Sequence, residues 1–207
     1  MNKNNFIQGY CRIKDNTVLK NEELLFSEDT STLNEFLKLA YQHFKTDYSK
    51  FFKMDRLSKL GFLCADVLLN SLKENNLFQE NTAIVLANKS ASLDTDRKYQ
   101  KSIEDADNYF PSPAVFVYTL PNICMGEISI RHKLYSENSF FIFDAFNADY
   151  LWEYTNSLLQ NKKADSVLCG WVDVDEDSYE AFLYVVSANG NLNHTKEEIT
   201  RLYFTNE

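Results

Sequence analysis

The chain has 207 residues, 44% of them hydrophobic and 25% charged, with only five Gly and three Pro. These values exclude collagenous, repetitive and disordered classes and suit one globular domain over 1–207 whose sixteen Phe and twelve Tyr can fill a sizeable core. A net charge of −9 with scattered Lys and Arg excludes a nucleic-acid partner, and the lack of any run of 18 apolar residues excludes a membrane span.

In chain order, Phe6 to Ile13 reads as a strand closed by an Asp15-Asn16 turn. From Ser31 the apolar residues Leu33, Phe36, Leu37, Ala40, Tyr41 and Phe44 recur at helical spacing. Tyr48 to Phe52 connects to a second helix, Asp55 to Glu74, whose apolar face is Leu57, Leu60, Gly61, Cys64, Val67, Leu68 and Leu72. Thr82 to Ala87 is an almost continuous apolar run, the signature of a strand covered on both faces. Asn88 to Asn108 is polar and predicts surface loop and helix; Pro111-Ser112-Pro113 breaks the chain, and Pro121 opens a helix running to Leu134.

Ser139 to Phe143 is a second apolar strand, expected to be central in its sheet or, if it lies at the edge, to pair with another chain, followed by a helix to Gln160. Asp165 to Trp171 and Glu180 to Ser187 are two further strands. Asn189-Gly190-Asn191 is a turn, and Thr195-Lys196-Glu197-Glu198 is a capping box for a last short helix. Strands alternating with helices, then two strands close together, predict an α/β fold with a largely parallel or mixed sheet.

Cys11, Cys64, Cys124 and Cys169 form no CxxC pair and lie in apolar contexts, so buried reduced thiols and a cytoplasmic location are expected. Met1 to Tyr10 lacks the charged and apolar regions of a signal peptide. His43, His132 and His194 are far apart, so neither a metal nor a cofactor is expected, and His194, beside a helix cap, reads as exposed or capping. Cys169, inside a strand next to Gly170, reads as core.

Three stretches resemble the β-ketoacyl-acyl carrier protein synthase family, in the family's order. Lys53-Met54-Asp55-Arg56 is similar to its Lys-Met-Ser/Asp-Arg segment. Leu120-Pro121-Asn122, with Gly126 and then Ile128-Ser129-Ile130-Arg131, is similar to its Leu-Pro-Asn, Gly and Ile-x-Ile-Arg pattern. Ala164-Asp165-Ser166-Val167-Leu168-Cys169-Gly170 resembles its Ala-Asp-x-x-Leu-x-Gly-Gly strand and turn. The resemblance implies one half of a thiolase-like fold: a mixed, mostly parallel sheet of about five strands with helices on both faces.

In such enzymes a Cys thiolate stands at a sharp strand-to-helix turn, where the helix N-terminus lowers its pKa. Counted forward from Ser136-Glu137-Asn138, that turn falls on Phe143 to Ala148 and the Cys position on Ala145. No cysteine lies between Cys124 and Cys169, and the family's second-half His motifs are absent from this sequence. The resemblance therefore implies no catalytic residue, with Asp144, Phe146 and Asn147 lining the degenerate site; Asp144 and Asn147 serve as helix caps or bind a polar group there. It further implies a non-catalytic subunit of fatty-acid, polyketide or aryl-polyene-type biosynthesis. Such a subunit would be dimeric with itself or with an intact ketosynthase, and would be a candidate partner of acyl carrier protein. The alternative is an acyl-carrier-binding module, or an enzyme of non-covalent chemistry using the cleft near Asp144.

Overall fold

The structure, a computed structural model, describes residues 4–107 and 109–205. Met1, which starts the N-terminal stretch considered above, and Asn108, which ends the polar stretch, lie outside the described residues. Eight strands alternate with seven α-helices among the described residues: β1 (Phe6–Lys14), β2 (Thr17–Lys20), β3 (Glu23–Ser27), α1 (Leu33–His43), α2 (Arg56–Glu74), β4 (Thr82–Asn88), α3 (Leu93–Lys101), α4 (Pro113–Phe116), α5 (Ile123–His132), β5 (Asn138–Ile142), α6 (Ala148–Gln160), β6 (Ser166–Asp175), β7 (Ser178–Ser187), β8 (Leu192–Asn193) and α7 (Lys196–Phe204).

All the strands join one open sheet in the order β3-β2-β1-β7-β6-β4-β5, with β8 also paired to β1. β4 runs parallel to β5 and β6, whereas β7 is antiparallel to both β6 and β1. Four of the five core strands, β1, β4, β5 and β6, therefore point the same way. This is the expected mixed, mostly parallel five-stranded core, extended at one side by the hairpin β2–β3. The Asp15-Asn16 turn ahead of the hairpin was legible, but its strands were not: the turn at Asn21-Glu22 takes positive φ at non-Gly residues, and β3 is largely exposed, so its pattern lacks a buried face.

Helices cover both faces. Ile84 and Leu86 of β4 point into a core shared with α1, α2 and α5, and Ala83, Val85 and Ala87 point into a second core shared with α6 and α7. Every residue of β4 is buried, because the pleat sends alternate side chains into opposite cores. α2 is buried around much of its circumference, from Leu60 through Leu69, since it lies on the sheet and also carries α1 and α5. Gly61 permits this: a Cβ there would lie 2.5 Å from the Cys124 sulfur of α5.

One strand departs from expectation. β5 pairs with β4 alone and ends the sheet, so it is an edge strand and not a central one. Its apolar run misleads because Phe140 packs toward one core and Phe141 toward the other, while Ile142 stays half exposed at 50%.

Gly170 in β6 takes φ +151°, and a Cβ there would lie 1.9 Å from the Phe182 carbonyl oxygen of β7. A side chain cannot fit without separating the two strands. Gly170→Ala is expected to destabilise the fold by about 3 kcal/mol or more, read as a lower midpoint in denaturant unfolding.

Candidate functional site

The four parallel core strands end together, and the β5–α6 turn sits at that C-terminal end, where open α/β sheets bind ligands. The Phe143 amide donates to the Asn88 carbonyl (2.9 Å), which ties the turn to the end of β4. Asp144 and Ala145 follow, both exposed. Asn147 caps α6: its Oδ1 accepts from the Tyr150 amide at 2.9 Å. Asp144 makes no cap bond to α6, so of the two polar residues at this turn it is Asn147 that serves the helix.

Phe146 turns inward. Its ring stacks on Tyr203 of α7 with centroids 3.9 Å apart and meets Phe182 and Trp171 edge-on. This aromatic plug fixes the turn against the sheet. Phe143, Asp144, Ala145, Phe146 and Asn147 together border an open depression of about 500 Å³, closed on its far side by Thr200 and Phe204. The structure thus brings together every residue placed at the turn by sequence.

The lining offers carboxylate, carboxamide and hydroxyl groups but no thiol and no imidazole. All four cysteines are free and buried. Burial pushes the Cys169 thiol up to about 12 and raises those of Cys64 and Cys124, so these sulfurs stay protonated and shielded. The histidines are engaged elsewhere: His43 packs on Phe26, and His132 Nδ1 accepts from Lys73 Nζ at 3.0 Å beside the buried Asp66–Arg131 ion pair.

His194 corrects its sequence reading. It is 5% exposed, neither exposed nor a cap; Thr195 caps α7 instead. Its ring lies 6.1 Å from that of Tyr184, and burial lowers its pKa from 6.5 to about 4.

A second cavity, of about 340 Å³, opens where the start of α2 meets α3 and α4. Lys53, Lys59 and Lys98 line it, and among the described residues none of the three has a carboxylate within ion-pair distance. Burial lowers the Lys59 pKa, Asp55 opposes that effect, and Lys98 adds to it. The two lining carboxylates are already engaged: Asp94 is held by Arg56, and Asp55 accepts from the Ser58 amide and the Thr95 hydroxyl. Sequence reading singled out Lys53 to Arg56 as a motif but missed this charged wall, because Lys98 comes from a separate polar stretch.

No family model matches the sequence, and no curated protein does. Solved structures do match. A chain of the ishigamide ketosynthase/chain length factor aligns with TM-score 0.63 and 15% identity over 89% of this chain and 62% of its own length. A chain of the ketosynthase ApeO in complex with its chain length factor ApeC from Xenorhabdus doucetiae aligns with TM-score 0.60 and 13% identity, over 97% of this chain and 90% of its own. A third, from the AntDE:AntF complex of a type II polyketide acyl carrier protein with its ketosynthase, gives TM-score 0.57, 14% identity and coverages of 88% and 62%. The chain has the ketosynthase fold. It spans 62% of the first and third of these ketosynthase-fold chains and nearly all of the second. No helix among the described residues is long and apolar enough to cross a membrane.

The low pKa of His194 makes stability pH-dependent. Between about pH 6.5 and 4 the unfolded chain binds a proton that the folded chain refuses, so stability falls as pH falls through this window. The loss is on the order of 3 kcal/mol at completion, and His132, whose pKa burial also lowers, acts with the same sign. Denaturant midpoints measured across that range should flatten in His194→Phe relative to the wild type.

Proposed function

We propose that the protein is a non-catalytic, ketosynthase-like subunit of chain-length-factor type, one domain over 1–207, that pairs with an intact ketosynthase in fatty-acid, polyketide or aryl-polyene-type biosynthesis. One observation carries this reading. The sheet ends at β5 in an unpaired apolar edge, and the turn directly after that edge carries Ala145 where the resemblance calls for a thiolate.

An open edge invites pairing with another chain. Ile142 on this edge is half exposed, and an open depression of about 500 Å³ lies beside it between β5 and the start of α5, with Phe140, Ile123 and Met125 in its lining. Apolar surface on this scale marks an interface. The occupant we assign is an intact ketosynthase, in keeping with the two ketosynthase–chain length factor assemblies of similar fold; a second copy of this chain could use the same edge. The subunit's part is to shape the acyl-binding space next to the partner's nucleophile. Buried free thiols suit the reducing cytoplasm.

Light scattering of the protein co-expressed with its ketosynthase should give a complex, and Ile142→Lys should weaken it at least about tenfold by burying a charge. Intact-mass measurement after incubation with acyl carrier protein or acyl-CoA should show no acyl adduct on this chain. A monomer that ignores the synthase, or a stable adduct on any of its cysteines, overturns the reading.

The cation-lined cavity favours a second reading, a carrier-binding module. Lys53, Lys59 and Lys98 could receive the phosphate that links a carrier protein to its acyl arm. Lys53→Glu/Lys98→Glu, at two exposed positions, should then weaken carrier binding about tenfold, and wild-type affinity should fall as salt rises.

A further inference from the structure

One glycine is required by nothing in its own chain. Of the five glycines, Gly9, Gly61, Gly170 and Gly190 each have a neighbouring atom at 3.3 Å or less from where a Cβ would stand. Gly126 has none within 4 Å. It sits inside α5, and its φ is not in the left-handed region, so the backbone conformation does not call for glycine either. A glycine inside a helix is less stable than an alanine, because it loses more backbone freedom on folding. Alanine would fit at this position, so in the isolated chain the glycine only weakens the helix.

Over Gly126 lies the open depression beside the β5 edge, whose lining it shares with Asn122, Ile123, Phe140 and Ile142. The inward side of α5 is Cys124, Glu127, Ile128 and His132, all buried. Asn122 and Ile130, one turn before and one turn after Gly126, stand on its outward face. Ile130 is 61% exposed, and the Asn122 carboxamide makes no cap bond to the helix. This face is therefore a notch, with bare backbone between two side chains. No formally charged side chain lines the depression, so covering it desolvates no ion.

The notch fits what an intact ketosynthase would bring to this edge, and the inference rests on that reading. A strand added alongside β5 lies about 4.8 Å from it. A partner of the same fold carries helices on the faces of its sheet, so its helical layer arrives next to α5. Packed helices stand about 8–10 Å apart, at a distance set by the side chains between them. A residue without a side chain permits the closest approach.

We propose that a helix of the ketosynthase partner crosses α5 at Gly126, and that the missing side chain sets how closely the two chains come together. Two quantities test this on each variant: the denaturation midpoint of this chain alone, and its dissociation constant for the ketosynthase by biolayer interferometry. Gly126→Ala should raise the midpoint, because the helix gains, and yet weaken the complex. Gly126→Leu, whose side chain fills the notch, should weaken it about tenfold or more. A glycine with only a structural role would not give opposite effects on folding and binding. Should the Leu variant not fold, the affinity of Gly126→Ala decides. A midpoint lowered by Gly126→Ala overturns the proposal, since the chain itself would then need the glycine. Variants that bind as tightly as the wild type overturn it too, while leaving the ketosynthase reading in place; wild-type protein that binds no ketosynthase removes both.

Discussion

The arrangement of the molecule depends on the double burial of β4. Its five inner residues, Ala83 to Ala87, send alternate side chains into two separate cores, and the polar residues Thr82 and Asn88 stand only at its ends. A strand covered on both faces needs neighbours on both sides as well, and β5 and β6 fill those places in parallel. Parallel pairing carries a cost in connection: each return needs a helix crossing over the sheet. α5 makes the crossover into β5 and α6 the one into β6, on opposite faces, and so the two helical layers follow from one strand. The same geometry gathers the C-terminal strand ends and places the β5–α6 turn among them.

Much of this was legible because burial and period agree. The helix from Leu33, the helix from Asp55 and the strand at Thr82 each have a pattern that one environment produces, and each stands within a residue or two of its expected bounds. The caps were legible too, since Thr195 and Asn147 bond the amides that a capping residue should. What failed to show was lateral position. An apolar run states that side chains are covered but not by what, so Phe140 and Phe141 could not distinguish a central strand from an edge strand awaiting a neighbour. The β2–β3 hairpin escaped for the opposite reason: an exposed strand leaves little pattern at all.

At the turn itself, sequence reading was more informative than for the polar groups around it. Counting from the family-like segments put Ala145 at the strand-to-helix corner, and Phe143 to Asn147 do line one depression there. Counting could not show that Phe146 is a structural plug on Tyr203, because that contact spans α7, far along the chain. His194 was misread for a similar reason. Its neighbours in sequence are polar and exposed, whereas its surroundings are Tyr184 and Trp152, brought in from β7 and α6.

The pairing of β1 with β7 has a consequence for how the chain reaches this structure. Phe6 lies opposite Ser187 and Lys14 opposite Glu180, so a strand near the start is held by one near the far end. β1 is nonetheless mostly buried, and it supplies Cys11 and Ile13 to the larger core. During synthesis β1 emerges first and can pair with β2 along one edge, but its other edge must wait, unpaired, until β7 leaves the ribosome. A fold closed by its most distant residues has a high contact order and a slow final step. Through that interval the nascent chain carries an exposed strand edge, which makes it a natural client for chaperones.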